Sequence, residues 1–250
     1  MTRNFFALLT FFYCASGHAH DIREVTVCWE EGLKPPYLML DEHHQPIGIA
    51  VDMLNEILKK EHIKVNNVVR PWKRCLEQVK TNEVTLVPNS SFTEERAAFS
   101  LYTKPLYETH LVLFYRKEAF PGTPNVKTLD ELAKYRVLGI SGFNYQRYQG
   151  KVKVEDAPRS RETQASMLAA GRGDFAAEQL EVHQYMAKQG KLNVSGLASI
   201  PDPAQATQPF YVLVSKAHPL GREIADLIDK GIEEGRRKGL DKRIADKYLQ

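Results

Sequence analysis

Arg96 closes the polar run Asn89-Ser90-Ser91-Phe92-Thr93-Glu94-Glu95-Arg96, which follows the apolar stretch VTLVPN at 84–89. A guanidinium offers a planar fork of donors that meets a carboxylate through two bonds at once. Set just after a strand, such a group suits the capture of a small acid; its other use is a surface ion pair with Glu94 or Glu95. Other chemistries lack their anchors. The chain has no G-x-S-x-G elbow, no glycine-rich phosphate loop and no H-E-x-x-H helix, so hydrolase and NTPase readings find no support. His43 and His44 adjoin one another in DEHHQPIG beside Asp41 and Glu42. Neighbouring histidines on a turn do not converge on one ion as spaced ligands do, so no metal or cofactor is expected. Acid catalysis would need Glu31, Glu178 or Glu181 with a raised pKa.

The elements that position these residues are legible by period. VTVCWE (25–30) reads as a buried strand, and GIAVDMLNEILKKEH (48–62) as an amphipathic helix with apolar residues at 51, 54, 57 and 58. KVNNVVR (64–70) is a second strand that ends at Pro71, a residue tolerated in the first turn of the following helix WKRCLEQVKT. VTLVPN is the third strand, running into a polar loop. This β–α alternation with apolar strands predicts a mainly parallel α/β sheet. It resumes after a β-rich stretch at 106–117, with a capped helix at Thr128 and Glu131, a strand at 136–141, and the loop GFNYQRY feeding a helix. A helix over RETQASMLAAGRG, the strand DFAAEQ (174–179) and the helix EVHQYMAKQG follow. A Pro-rich passage, the strand FYVLVSK and two helices near 220–237 and 239–249 end the pattern. CLEQVKTNEVTLVPNS and SMLAAGRGDFAAEQLE echo one another, each putting polar side chains beyond a strand's C-terminal end, where open α/β sheets bind ligands.

Residues 1–19 form an expected signal peptide: Arg3, the apolar run FFALLTFFYCA, then small residues. Cleavage after Ala19 leaves His20 first, and a cut after Gly17 is the alternative. The run is shorter than the ~20 residues that span a bilayer, and Cys14 follows Phe12 and Tyr13, where a lipidation site needs small residues. Cys28 and Cys75 remain after export, and an oxidising compartment permits either a disulfide or two buried thiols. With 43% hydrophobic residues and a net charge of +3 spread along 250 residues, the chain can bury a large core and lacks the basic stripe of a nucleic-acid binder.

The stretch RPWKRCLEQVKTNEVTLVPNSSFTEERAAFSLYTKPLY (70–107) resembles the family 3 extracellular solute-binding proteins, the type 2 periplasmic amino-acid receptors of ABC transporters. The aromatic after Pro-Pro, the G-x-x-V-D-M-L helix start, the T-x-x-R-A-x-x-F-S segment and the G-R-x-D turn extend the resemblance over the mature chain. It implies an α/β fold of two lobes, each a mostly parallel sheet with flanking helices. Lobe 1 would comprise 20–108 plus 211–250 and lobe 2 109–210, hinged near 107–110 and 208–211. It implies a monomer in the periplasm, without enzymatic activity, that closes on a small carboxylate-bearing solute for a membrane permease. A periplasmic enzyme of the cyclohexadienyl dehydratase type, or a sensing subunit for a signalling receptor, is the alternative.

The resemblance also implies roles. Arg96 would grip the ligand's α-carboxylate with Ser91 in support, and Asn89 and Ser90 would line the site. Trp72 and Tyr37 would be aromatic walls, and Glu31 would approach the ligand's side chain. On lobe 2, Phe143 and Asn144 take positions where the family presents a Ser and a Thr, after Gly142. Gln179 stands where the family's aspartate pairs with the ligand's ammonium. Either Glu178 supplies that charge through a one-residue shift, which strand alternation disfavours, or the ligand has no free ammonium.

Overall fold

The computed structural model describes residues 22–32 and 34–249; the expected signal peptide, with Cys14 and the cleavage site, lies outside them. β1 (Glu24–Glu30) is followed by a hairpin of β2 (Met39–Leu40) and β3 (Pro46–Ile47), α1 (Ile49–Lys60), β4 (Lys64–Arg70) and α2 (Trp72–Lys80). Gly48 opens α1 at φ 131°, and a Cβ there would meet the Tyr37 carbonyl oxygen at 2.5 Å, so glycine is required. Next come β5 (Leu86–Ser90), α3 (Glu94–Phe99), β6 (Ser100–Tyr102) and the long β7 (Tyr107–Arg116). The second stretch holds α4 (Leu129–Leu132), β8 (Val137–Leu138), β9 (Val154–Glu155), α5 (Arg161–Ala169), β10 (Phe175–Gln179), α6 (Leu180–Lys188) and β11 (Leu197–Pro201). β12 (Thr207–Ser215), α7 (Gly221–Arg237) and α8 (Leu240–Leu249) complete the fold.

The strands run in the order β4-β1-β5-β12-β7-β10-β8-β9. β4, β1 and β5 are parallel, as are β10, β8 and β9, while β7 and β12 are antiparallel to their neighbours. β7 and β12 pair with each other only over Tyr107–His110 and Thr207–Phe210. Beyond that joint, β12 joins β5 and β6, and β7 joins β10 and β11.

Alternation decides which face each strand residue meets. In β1, Val25, Val27 and Trp29 pack with α1, α7 and α8 residues, whereas Cys28 faces the other side with Cys75 of α2. Cys28 and Cys75 are bridged, their Cα atoms 5.6 Å apart, a separation ordinary for a disulfide. In β10, Phe175 and Ala177 face one core and Ala176 the other, where Leu168 of α5 packs.

Three expectations shift. The segment around Arg96 is the short helix α3 rather than a loop, capped by the Thr93 hydroxyl, which accepts from the Arg96 N–H at 3.2 Å. GFNYQRY ends in a 3-10 turn at Gln146–Tyr148, and no α-helix follows before Arg161. β11 is an edge strand on β7 that the Pro-rich reading passed over. Among the described residues no helix is long and apolar enough to cross a membrane.

Candidate functional site

A cleft of about 540 Å³ opens between the C-terminal ends of the strands in the two halves of the sheet, within the size range of small-molecule sites. On the first side, β5 delivers Asn89 at φ 60°, a left-handed conformation that asparagine tolerates better than most residues. Its Oδ1 accepts from the Tyr107 hydroxyl at 2.8 Å, while its buried Nδ2 has no partner. Arg96 Nη1 donates to the Ser91 carbonyl oxygen at 2.9 Å, and to the Ser90 and Ser91 hydroxyls at 3.3 and 3.4 Å. All of these bonds use one nitrogen, so the Nε and Nη2 donors stay available. The guanidinium carbon lies 5.1 Å from the ring of Trp72, the first residue of α2. The loop is held from behind: the Tyr102 hydroxyl donates to the Ser91 carbonyl oxygen at 3.2 Å and accepts from the Thr93 N–H at 3.1 Å.

The opposite wall is the loop Ile140–Arg147 with the start of α5 and the end of β10. Gly142, Phe143 and Asn144 line the cleft, but the Asn144 side chain is engaged in its own turn, its Oδ1 accepting from the Gln146 N–H at 2.9 Å. Arg161 and Glu178 are buried together, with Nε and Oε2 3.0 Å apart. They form an ion pair without a hydrogen bond, and Arg161 Nη2 also lacks a hydrogen-bond partner. The guanidinium carbon of Arg161 lies 5.1 Å from the Phe143 ring. Gln179 also faces the cleft, its Oε1 buried without a partner.

At the floor, Phe210 ends a stack in which its ring is 5.1 Å from Tyr107 and Tyr107 is 4.1 Å from Tyr37. Lys34 places its ammonium 3.5 Å from the Phe210 ring centre, a cation–π contact strengthened by loss of water. Burial pushes Lys34 down to about 8, with Glu30 resisting and Arg161 adding to the effect. Burial likewise raises the Glu30 carboxyl, against the pull of Lys34, Arg161 and Arg96. Both shifts favour the uncharged forms, because removing a charge from water is costly. His183, stacked on Phe114 at 3.8 Å, is pushed down to about 4 by burial, with Arg161 contributing.

Seven residues singled out from sequence therefore share one cleft: Trp72, Asn89, Ser91, Arg96, Phe143, Asn144 and Gln179. Three do not reach it. Ser90 is fully buried behind the loop, tethering Arg96. Tyr37 is a buried layer behind Phe210, its hydroxyl donating to the Glu108 carbonyl oxygen at 3.4 Å. Glu31 is exposed, with its N–H bonded to the Arg70 carbonyl oxygen. Glu30 lines the cleft instead; on β1 it shares parity with Cys28, the face that turns toward α2 and Trp72. By the same rule Glu178 has the parity of Ala176 and meets Arg161 at the start of α5, while it too lines the cleft.

Sequence reasoning passed over Lys34, Arg161 and Phe210. The one signal available was a charged residue, Glu178, inside the otherwise apolar strand FAAEQ, which implied a buried cation whose identity only tertiary contact supplies. Among the described residues no three His, Cys, Asp or Glu side chains come together as a metal site.

The family model described as bacterial extracellular solute-binding proteins, family 3, matches residues 25–250. No curated protein matches the sequence. Among solved structures, the chain is similar to the probable amino-acid ABC transporter extracellular-binding protein YtmK from Bacillus subtilis, at 18% identity and TM-score 0.72, covering 91% of this chain and 98% of that one. It is similar to a histidine kinase sensor domain with similarity to periplasmic binding proteins, at 19% identity and TM-score 0.70, covering 92% and 97%. An ancestral arginine-binding protein bound to arginine matches at 21% identity and TM-score 0.67, covering 92% and 100%. At these identities the likeness is one of fold, and the fold is the two-lobed α/β architecture expected from the sequence.

Proposed function

Since the chain belongs to the bacterial extracellular solute-binding proteins of family 3, we propose that it is exported by cleavage of residues 1–19 and captures a small carboxylate-bearing solute in the periplasm. The observation that carries this reading is Arg96, held through Nη1 alone and facing a cleft with Nε and Nη2 free to bond. Two donors in a fixed plane suit a carboxylate, and Ser91 and the unpartnered Asn89 Nδ2 stand beside them.

Lobe 1 is residues 20–108 with 211–250, and lobe 2 residues 109–210. In support, β7 and β12 pair with each other only over Tyr107–His110 and Thr207–Phe210, so rotation there would swing one sheet half against the other. Ligand bound to both walls favours the closed form by its differential affinity. A monomer closed in this way then delivers its solute unchanged to the permease of an ABC transporter.

Arg96→Ala tests the assignment. Thermal-shift titration with small mono- and dicarboxylates should show wild-type stabilisation that grows with ligand concentration, and the variant should lose it while keeping the unliganded melting temperature within a few degrees. Equal stabilisation of both proteins would refute the role of Arg96. Because the raised Glu30 carboxyl is a group of the kind acid catalysis needs, mass spectrometry of the released solute checks that it leaves unaltered. The likeness to a histidine kinase sensor domain supports a second reading, a sensing subunit for a separate receptor. Capture of a kinase ectodomain rather than a permease by the liganded protein would favour it.

A further inference from the structure

The reading above places one carboxylate on Arg96 and leaves Lys34 at the floor and Arg161 on the far wall unexplained. Arg161 is 9% exposed and Lys34 is 9% exposed, and neither has its hydrogen-bonding capacity met. Nε and Nη2 of Arg161 have no hydrogen-bond partner. The Lys34 ammonium lies over the Phe210 ring and, among the described residues, makes no hydrogen bond or ion pair within 4 Å. Buried donors left without acceptors are costly, and these two line the same cavity as Arg96. Lys34, Arg161 and Arg96 all act on the carboxylate of Glu30, and Glu178 is the second carboxylate among them, acting on Lys34 and paired with Arg161.

The charge of the wall points the same way. Six cationic side chains line the cleft against three acidic ones. With Arg147 committed to the buried Asp202 at 2.9 Å, the excess is two, one from the inner groups and one from the exposed Arg159 and Lys191 set against Glu162. Where an ammonium would need a carboxylate there is Gln179, whose unpartnered Oε1 accepts a neutral donor but supplies no charge. Glu178, the other candidate, is drawn to Arg161.

We propose that the solute is a dianion without an ammonium group, a short dicarboxylate whose first acid group binds Arg96 and whose second is received by Arg161 and Lys34. The two ends bind opposite walls of the cleft, so the second acid group is the one that holds the halves together. A hydroxyl between them would satisfy Gln179.

This rests on the role of Arg96 and is tested so that the two can fail separately. Isothermal titration would compare succinate, glutarate and adipate with their monoamides and with glutamate. Replacing one charged acceptor by a neutral one should weaken binding by about tenfold or more, so the best diacid should exceed its monoamide by at least that ratio, and succinate or glutarate should exceed glutamate. The double variant Arg161→Gln with Glu178→Gln strands no buried charge; it should bring diacid and monoamide to within about threefold, and Lys34→Met should reduce the same ratio. Diacids and monoamides binding alike to the wild type, or glutamate binding tighter than any diacid, would overturn the proposal while leaving Arg96 in place. An unchanged ratio in the double variant would also overturn it. If no carboxylate binds at all, the Arg96 reading falls as well.

Discussion

Arg147 and Arg161 both line the cleft and both lie against a buried carboxylate, yet their surroundings differ. Arg147 Nε donates to Asp202 at 2.9 Å and its Nη2 to the Tyr148 hydroxyl at 3.1 Å, while that hydroxyl donates to the same Asp202 oxygen at 2.7 Å. The second Asp202 oxygen accepts from the Ala204 N–H, and the Tyr145 and Tyr148 rings lie 5.3 and 4.5 Å from the guanidinium carbon. Around Arg161 and Glu178 the charges attract, but their facing atoms make no hydrogen bond. A closed network holds structure, whereas an open one has capacity left for a guest. The difference teaches that closeness of charge alone does not separate the two arginines; unmet hydrogen-bonding capacity does.

The largest effect that would break this contrast is at the closed pair. Arg147→Met strands Asp202 beneath the protein surface and should cost about 3–5 kcal/mol, read as a lowered urea midpoint; a loss below 1 kcal/mol would show the network is dispensable. Lys34→Met sharpens the contrast from the open side. Because the folded value near 8 lies below the ordinary 10.5, the unfolded chain binds more protons between pH 8 and 10.5, and wild-type stability should rise across that window. At pH 7 the buried charge costs roughly 3 kcal/mol, so Lys34→Met should be more stable by up to that amount and lose the alkaline rise. A flat wild-type profile would contradict it. Smallest of all, the double variant Arg161→Gln with Glu178→Gln should change unliganded stability by no more than about 1 kcal/mol, since two poorly bonded charges are exchanged for two amides.

Strand and helix order followed from local periodicity, and the positions of Arg96, Trp72 and Gln179 came with it, because each sits at the end of an element whose apolar pattern is strong. Glu31 was misplaced by a single residue, since successive side chains at a strand end face opposite ways and β1 ends on Glu30 with Glu31 directly after it. Tyr37 was placed on the cleft wall by the family resemblance, but an aromatic side chain carries no mark of which layer of a stack it joins. The short α3 was overlooked because six residues are too few to show a period.

What the sequence by itself determined was the β–α order and a guanidinium set after a buried strand. These depend on neighbours within a few residues, whose spacing is printed in the chain. Only the tertiary structure decided that Lys34, Arg161, Glu178 and Phe210 would meet Arg96 around Glu30, and that Cys28 would pair with Cys75. Such meetings depend on the crossing of strands far apart in sequence, and on whether each buried polar atom finds a partner once they have crossed.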